Sequence, residues 1–157
     1  MFNKTLRLIS WVVIFQIIGF YLGRLTRADI TSWYVMLHKS VFTPPGIVFA
    51  IVWTFLYVLL ALSGWWLWEN RQHTNAKKAL FYFGAQMLMN WSWTPLFFHY
   101  HAILFSFIWM IGIILLTFIT ICLTYERYKF SSILLMPYLG WLIFACYLNA
   151  SIYQLNP

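Results

Sequence analysis

Residues 79–125 form a run of 47 positions without a single Asp, Glu, Lys or Arg. A bilayer core takes about 20 helical residues, so this run is two membrane spans joined by a tight turn. Mean hydropathy is +0.77 and 63% of the residues are hydrophobic, which puts the whole chain among integral membrane proteins. Backbone groups in lipid must be satisfied within the segment, and no strand alternation interrupts the apolar runs, so the spans are read as helices. Five are expected, at about residues 6–23, 45–68, 79–98, 102–125 and 132–155. The fold class is an all-α integral membrane protein, a five-transmembrane-helix bundle forming one domain over 1–157.

The charges lie in the connections. Ten basic residues against three acidic ones give a net charge of +7. Without a basic surface interleaved with exposed polar groups, that excess is read as a topology signal and nucleic acid is not an expected partner. With five spans, the N-terminus and the 69–78 and 126–129 connections share one side, carrying Lys4, Arg7, Arg71, Lys77, Lys78, Arg127 and Lys129. The other side holds Arg24, Arg27 and Lys39. The imbalance predicts a cytoplasmic N-terminus and an outside C-terminus, as in a bacterial cell membrane. The first span is read as uncleaved, because no small-x-small site follows it.

Local signals mark several boundaries. Thr43 is a candidate cap for the second helix, with Pro44 and Pro45 at its start. Pro95 and Pro137 fall inside spans and are expected to bend them and to face the bundle. Cys122 and Cys146 are read as small buried apolar residues. Gly64 and Gly112 are the small-residue candidates for helix contacts. The long connection at 24–43, with Trp33, Tyr34 and Phe42, has the length of a functional loop and is expected to act as a lid.

Ten tryptophans and an aromatic content of 22% exceed what a lipid-facing surface requires. Trp65, Trp66 and Trp68 beside Glu69 are read as an interfacial belt. Deeper, Gln86, Asn90 and Trp93 share one face of the third span, where amides must point inward. Their chemistry fits either interhelical hydrogen bonding or a ligand site. Phe49, Trp53 and Tyr57 form a one-turn stripe on the second span, and Trp141, Ala145 and Asn149 another on the fifth; packing and ligand contact both explain them. Asp29, Glu69 and Glu126 are the only carboxylates and all lie in connections, so an ion-coupled carrier of the acidic type is not indicated. His99 and His101 are a weak metal signal, and no metal site is expected.

Trp33-Tyr34, Leu37-His38-Lys39, Thr43-Pro44-Pro45, Val52-Trp53-Thr54, Asn90-Trp91-Ser92-Trp93, Pro95, Pro137-Tyr138-Leu139, Trp141 and Leu148-Asn149 occur in an order that closely resembles the translocator protein family, also called tryptophan-rich sensory proteins (TspO/MBR, peripheral benzodiazepine receptor). The likeness spans about residues 33–156. It implies a five-helix bundle, commonly a homodimer, with a cavity open toward the first long loop. It also implies porphyrin ligands such as protoporphyrin IX and haem, with no obligatory cofactor. Ligand contacts are implied for Trp53, Asn90, Trp93, Trp141 and Ala145, with Trp33 and Tyr34 in the lid; Phe49, Tyr57, Gln86 and Tyr138 complete the expected pocket. The function implied is a membrane receptor or sensor of tetrapyrroles that regulates their level. The alternatives are their transport, or their light- and oxygen-dependent degradation with Trp53 and Trp141 as redox-active indoles. Lys39-Ser40 and Phe42 depart from the family's Lys-Pro and Trp. The cholesterol motif also lacks its basic end after Tyr153, so sterol recognition through it is not implied.

Overall fold

The computed structural model describes residues 3–157. Six α-helices occur among them: α1 (Lys4–Leu25), α2 (Arg27–Ser32), α3 (Gly46–Glu69), α4 (Thr74–Phe98), α5 (Ile103–Thr124) and α6 (Lys129–Leu155), with a 3₁₀ turn at Tyr34–Met36. No strand occurs among the described residues. The count exceeds the expected five because the 24–43 connection folds its own short helix, α2.

Four helices, α1, α3, α5 and α6, are long and apolar enough to cross a membrane. The expected third span is the exception. α4 is 25 residues long, but Lys77, Lys78, Gln86, Asn90 and Ser92 dilute its apolar content. Seven of its residues are nevertheless buried, Gln86 and Asn90 among them, because α4 packs against α5, α3 and α1. The chain is an integral membrane protein built as a helical bundle.

Close approach between helices depends on small residues. A Cβ on Gly64 would stand 2.5 Å from the Trp11 ring and 2.7 Å from Phe83, so the glycine lets α1 and α4 meet α3. Gly112 packs in the same way against Met89, which makes both glycines contacts within the chain. Hydroxyls join the helices at the end where α6 begins. Ser63 and Ser131 share a 2.5 Å hydrogen bond between α3 and α6, and Thr124 and Ser132 one of 2.7 Å. At the same end the Arg7 guanidinium donates to both Glu69 carboxylate oxygens, at 2.7 and 2.9 Å, tying α1 to α3.

Three local expectations fail. Thr43 caps nothing: α3 starts at Gly46 with Pro45 in the cap position, so Thr43 is too far upstream to reach the free N–H groups. Pro137 faces outward; successive helical residues point about 100° apart, and its neighbour Tyr138 takes the inward direction, fully buried. Cys122 is exposed on α5, whose inward face is occupied by Ser106, Met110, Ile113, Thr117 and Thr120, and Cys146 is half-buried on α6, where Leu142, Leu148 and Asn149 take the inward side. Pro95 is half-buried, and Trp65 and Trp66 are also half-buried, with Trp68 exposed.

Gly64→Ala should lower stability by about 1–3 kcal/mol, the usual effect of overpacking. Gly84→Ala, where a Cβ meets nothing within 4 Å, should not lower it. Thermal unfolding of both variants in detergent checks this; equal melting curves would remove the close-packing role of Gly64.

Candidate functional site

The helix phases of α3, α4 and α6 bring their polar residues to one buried point. Gln86 and Asn90 are one turn apart on α4, so both face α6. Between them stands Tyr138, whose hydroxyl donates to Gln86 Oε1 at 2.8 Å and accepts from Asn90 Nδ2 at 3.0 Å. Tyr57 of α3 reaches the other side, its hydroxyl 3.5 Å from Asn90 Oδ1. Gln86 and Tyr138 have no exposed surface and Asn90 has 5%. A polar group in an apolar interior is costly unless paired, and this chain pairs most of the site.

Aromatic rings close around it. Trp53 lies 5.7 Å from Tyr57 and meets Tyr138 edge-on at 6.4 Å. One turn toward the α3 start, Phe49 meets Trp141 edge-on at 5.6 Å. Ala145, one turn beyond Trp141 on α6, packs against the hydrophobic core, as do Trp53 and Trp141. Phe49, Trp53, Tyr57, Gln86, Asn90, Tyr138, Trp141 and Ala145 are thus assembled from three helices.

The other three expected residues form a second cluster under the loop. Trp93 stacks on Phe97 at 5.1 Å and 10°, and its indole N–H is used by the Ser106 carbonyl at 3.1 Å. Trp33 meets Phe97 edge-on at 5.6 Å and stacks on His101 at 4.0 Å. Tyr34 packs edge-on against Phe97 and Phe98. Trp33 and Tyr34 do not reach the inner cluster through ring contacts; Phe97 stands between. Sequence reading did not place Phe97 or His101 at the site, taking His101 only as a weak metal signal, because only the fold sets the α4–α5 turn beneath the loop.

The loop is held down at a few points. Asn156, past the end of α6, accepts the His38 N–H at 3.0 Å and donates to the His38 carbonyl at 2.9 Å. Ser40 and Tyr147 share a 3.0 Å hydroxyl contact, and His99 approaches Asp29 at 3.9 Å. The Lys39 ammonium donates to the Tyr34 carbonyl at 2.6 Å and stands 4.6 Å over the Tyr34 ring. Burial pushes the Tyr34 phenol above its ordinary pKa. The departure from the family's Lys-Pro is thus accommodated: Lys39 stabilises the turn, and Ser40 ties it to α6.

Four buried polar groups at or near the site have no hydrogen-bond partner among the described residues: Gln86 Nε2, Trp141 Nε1, Ser106 Oγ and both amide atoms of Asn149. Such groups are rare in folded proteins and call for an explanation. Asn149 continues the Trp141–Ala145 face by one more turn of α6. The signal for it was present in the sequence, as an amide within an apolar run.

Residues 11–155 match the TspO/MBR family. The chain belongs to the TspO/MBR family. It is 35% identical to the tryptophan-rich protein TspO of Archaeoglobus fulgidus over 154 residues, covering 98% of this chain and 99% of that one. Protein CrtK of Rhodobacter capsulatus is 30% identical, with 80% of this chain and 79% of the relative covered. The translocator protein of Bos taurus is 28% identical, covering 88% and 83%. The resemblance read from the ordered motifs over about residues 33–156 is therefore real, and the family match extends it toward the N-terminus, to residue 11.

Tyr138→Phe should destabilise the protein by about 1–3 kcal/mol, because it strands the Gln86 carbonyl and the Asn90 amide in the interior. Adding Gln86→Leu to it should recover part of the loss. Denaturant or thermal unfolding of the single and double variants checks this, and simple additivity would contradict the linked network.

Proposed function

We propose that this TspO/MBR protein is a membrane receptor or sensor that binds tetrapyrroles, protoporphyrin IX or haem, within the aromatic cluster of α3, α4 and α6. The carrying observation is the set of unpartnered buried polar groups, Gln86 Nε2, Trp141 Nε1 and the Asn149 amide, amid tilted and edge-on rings. A flat conjugated ring system gains by stacking on indoles and burying its apolar faces, while a few oriented polar groups fix its position. The names of the relatives, sensory protein and translocator protein, support a role in responding to or handling such a ligand. Tetrapyrrole level or signalling would then be the regulated quantity. No other cofactor is required by this reading.

The reading includes α4 as a fifth membrane crossing. Its Gln86 and Asn90 turn inward onto Tyr138 while Phe81 and Leu88 are exposed to the outside of the bundle, as lipid contact requires. It also includes a bacterial cell membrane, the cytoplasmic N-terminus implied by the charge imbalance, and a homodimer. Because Gln86 and Tyr138 are fully enclosed, ligand admission needs the loop over the Trp33–Phe97 cluster to lift. Its fastenings to Asn156, Tyr147 and His99 are few enough for that.

A second reading is favoured by one geometric observation. Trp53 stands in ring contact with both Tyr57 and Tyr138, a chain of oxidisable rings beside the proposed ligand. Under it, the protein degrades bound porphyrin in light and oxygen. Illumination of the complex should then change the porphyrin spectrum in wild type and not in Trp53→Phe. Bleaching at the same rate in both would remove this reading.

Protoporphyrin IX should quench the tryptophan fluorescence of the detergent-solubilised protein saturably, after correction with free tryptophan. Trp141→Phe should weaken binding by up to about tenfold, the value of one lost aromatic contact, and Ala145→Phe should weaken it by filling the site. Saturable binding unchanged by both would displace the site; no saturable binding would exclude the function. Asn156→Ala should speed association several-fold with little change in the bound spectrum, read by stopped flow; an unchanged rate would show that the loop is not a gate.

A further inference from the structure

At the opposite end of the bundle from the loop, an open groove of about 710 Å³ runs between the start of α4, the end of α5 and the first half of α6. Its walls change character along its length. Phe118, Cys122 and Met136 supply an apolar stretch, and Asn75, Glu126 and Arg127 line the rest. The charged side chains of Glu126 and Arg127 are exposed, and neither makes an ion pair among the described residues. Two neighbouring opposite charges that face one groove and leave each other unpaired present a positive and a negative point to whatever occupies it.

We propose that this groove binds a phospholipid with a zwitterionic, primary-amine headgroup, phosphatidylethanolamine. An acyl chain lies along Phe118, Cys122 and Met136. The phosphate meets Arg127 and Asn75, and the ammonium meets Glu126. The neighbouring helix ends have the matching polarity. Asn75 sits in the first turn of α4, which carries no acidic residue and is followed by Lys77 and Lys78, so that end favours the phosphate. The last turn of α5 carries no basic residue, so its negative end is left free to favour the ammonium. An anionic lipid such as phosphatidylglycerol carries the same phosphate but no ammonium, so it leaves Glu126 unanswered. A choline headgroup keeps the positive charge but has no N–H to donate to the carboxylate. The headgroup that satisfies both sides is therefore the primary ammonium.

The test is native mass spectrometry of the full chain in detergent, with equimolar mixtures of lipids of identical acyl chains. The mixtures contain phosphatidylethanolamine, its N-methyl and N,N-dimethyl derivatives, phosphatidylcholine and phosphatidylglycerol. Wild type should retain phosphatidylethanolamine over phosphatidylcholine by about fivefold, the size of one exposed charge-assisted contact, with retention falling stepwise as methyl groups are added. Glu126→Gln should abolish the ethanolamine preference without loss of total lipid. Arg127→Gln should lower retention of every phosphate lipid, and Cys122→Trp, which fills the apolar wall, should do the same. Because headgroup preference is a ratio within one sample, a partly unfolded variant cannot imitate it. Equal retention of ethanolamine and choline lipids, a preference for phosphatidylglycerol, or an unchanged preference in Glu126→Gln would each overturn the proposal. So would a groove covered by a second copy of the chain, seen as a dimer that carries no lipid and cross-links through Cys122.

Discussion

One hydrogen-bonded chain, Gln86–Tyr138–Asn90, sets most of the structure. Lipid offers no water to an unpaired amide, so the two α4 amides must find partners inside the bundle. Tyr138 is the residue that supplies them. That requirement fixes how α4 is rotated and brings the Tyr138 side chain of α6 across to it, and Tyr57 brings α3 to the same point. Once these three helices are in phase, the positions of Trp53, Trp141 and Ala145 follow, because each is one or a few turns from a residue in the network. α4 also owes its place to this network, since its apolar content alone does not mark it as a membrane crossing.

The two ends of the bundle are built for different tasks. At the α6 start, Arg7 and Glu69 form a two-pronged ion pair, and hydroxyl pairs join α3, α5 and α6. At the other end the polar residues belong to a loop and to chain segments beyond the helices, fastened by single contacts. The aromatic cluster lies on the side of the weak fastenings. The proposed gate needs few contacts to break, and low local stability is what such a segment requires.

The helical class and the inward faces were legible from spacing. Gln86 and Asn90 share a face because four residues make about one turn, and an amide in hydrocarbon has only one tolerable direction. The stripes on α3 and α6 were legible for the same reason, although spacing left packing and ligand contact undecided. Other features were not legible. The failed cap at Thr43 depends on where Pro45 starts the helix, and the outward turn of Pro137 on Tyr138 taking the inward side. Cys122 points outward because hydroxyl and larger apolar residues, Met110 and Ile113 among them, fill the inner face of α5, a competition visible only in three dimensions. The loop's ties to Asn156 and Tyr147 join positions more than a hundred residues apart, which no local pattern encodes.

The most direct test of the proposed ligand site is the ¹H–¹⁵N resonance of the Trp141 indole, assigned by its loss in Trp141→Phe. Trp65 has an equally unpartnered indole N–H but lies near the far end of α3, so it serves as an internal reference. Titration with protoporphyrin IX should move the Trp141 signal saturably and leave that of Trp65 in place. A Trp141 signal that stays put, or one that moves no more than Trp65, would contradict a tetrapyrrole site in the α3–α4–α6 cluster.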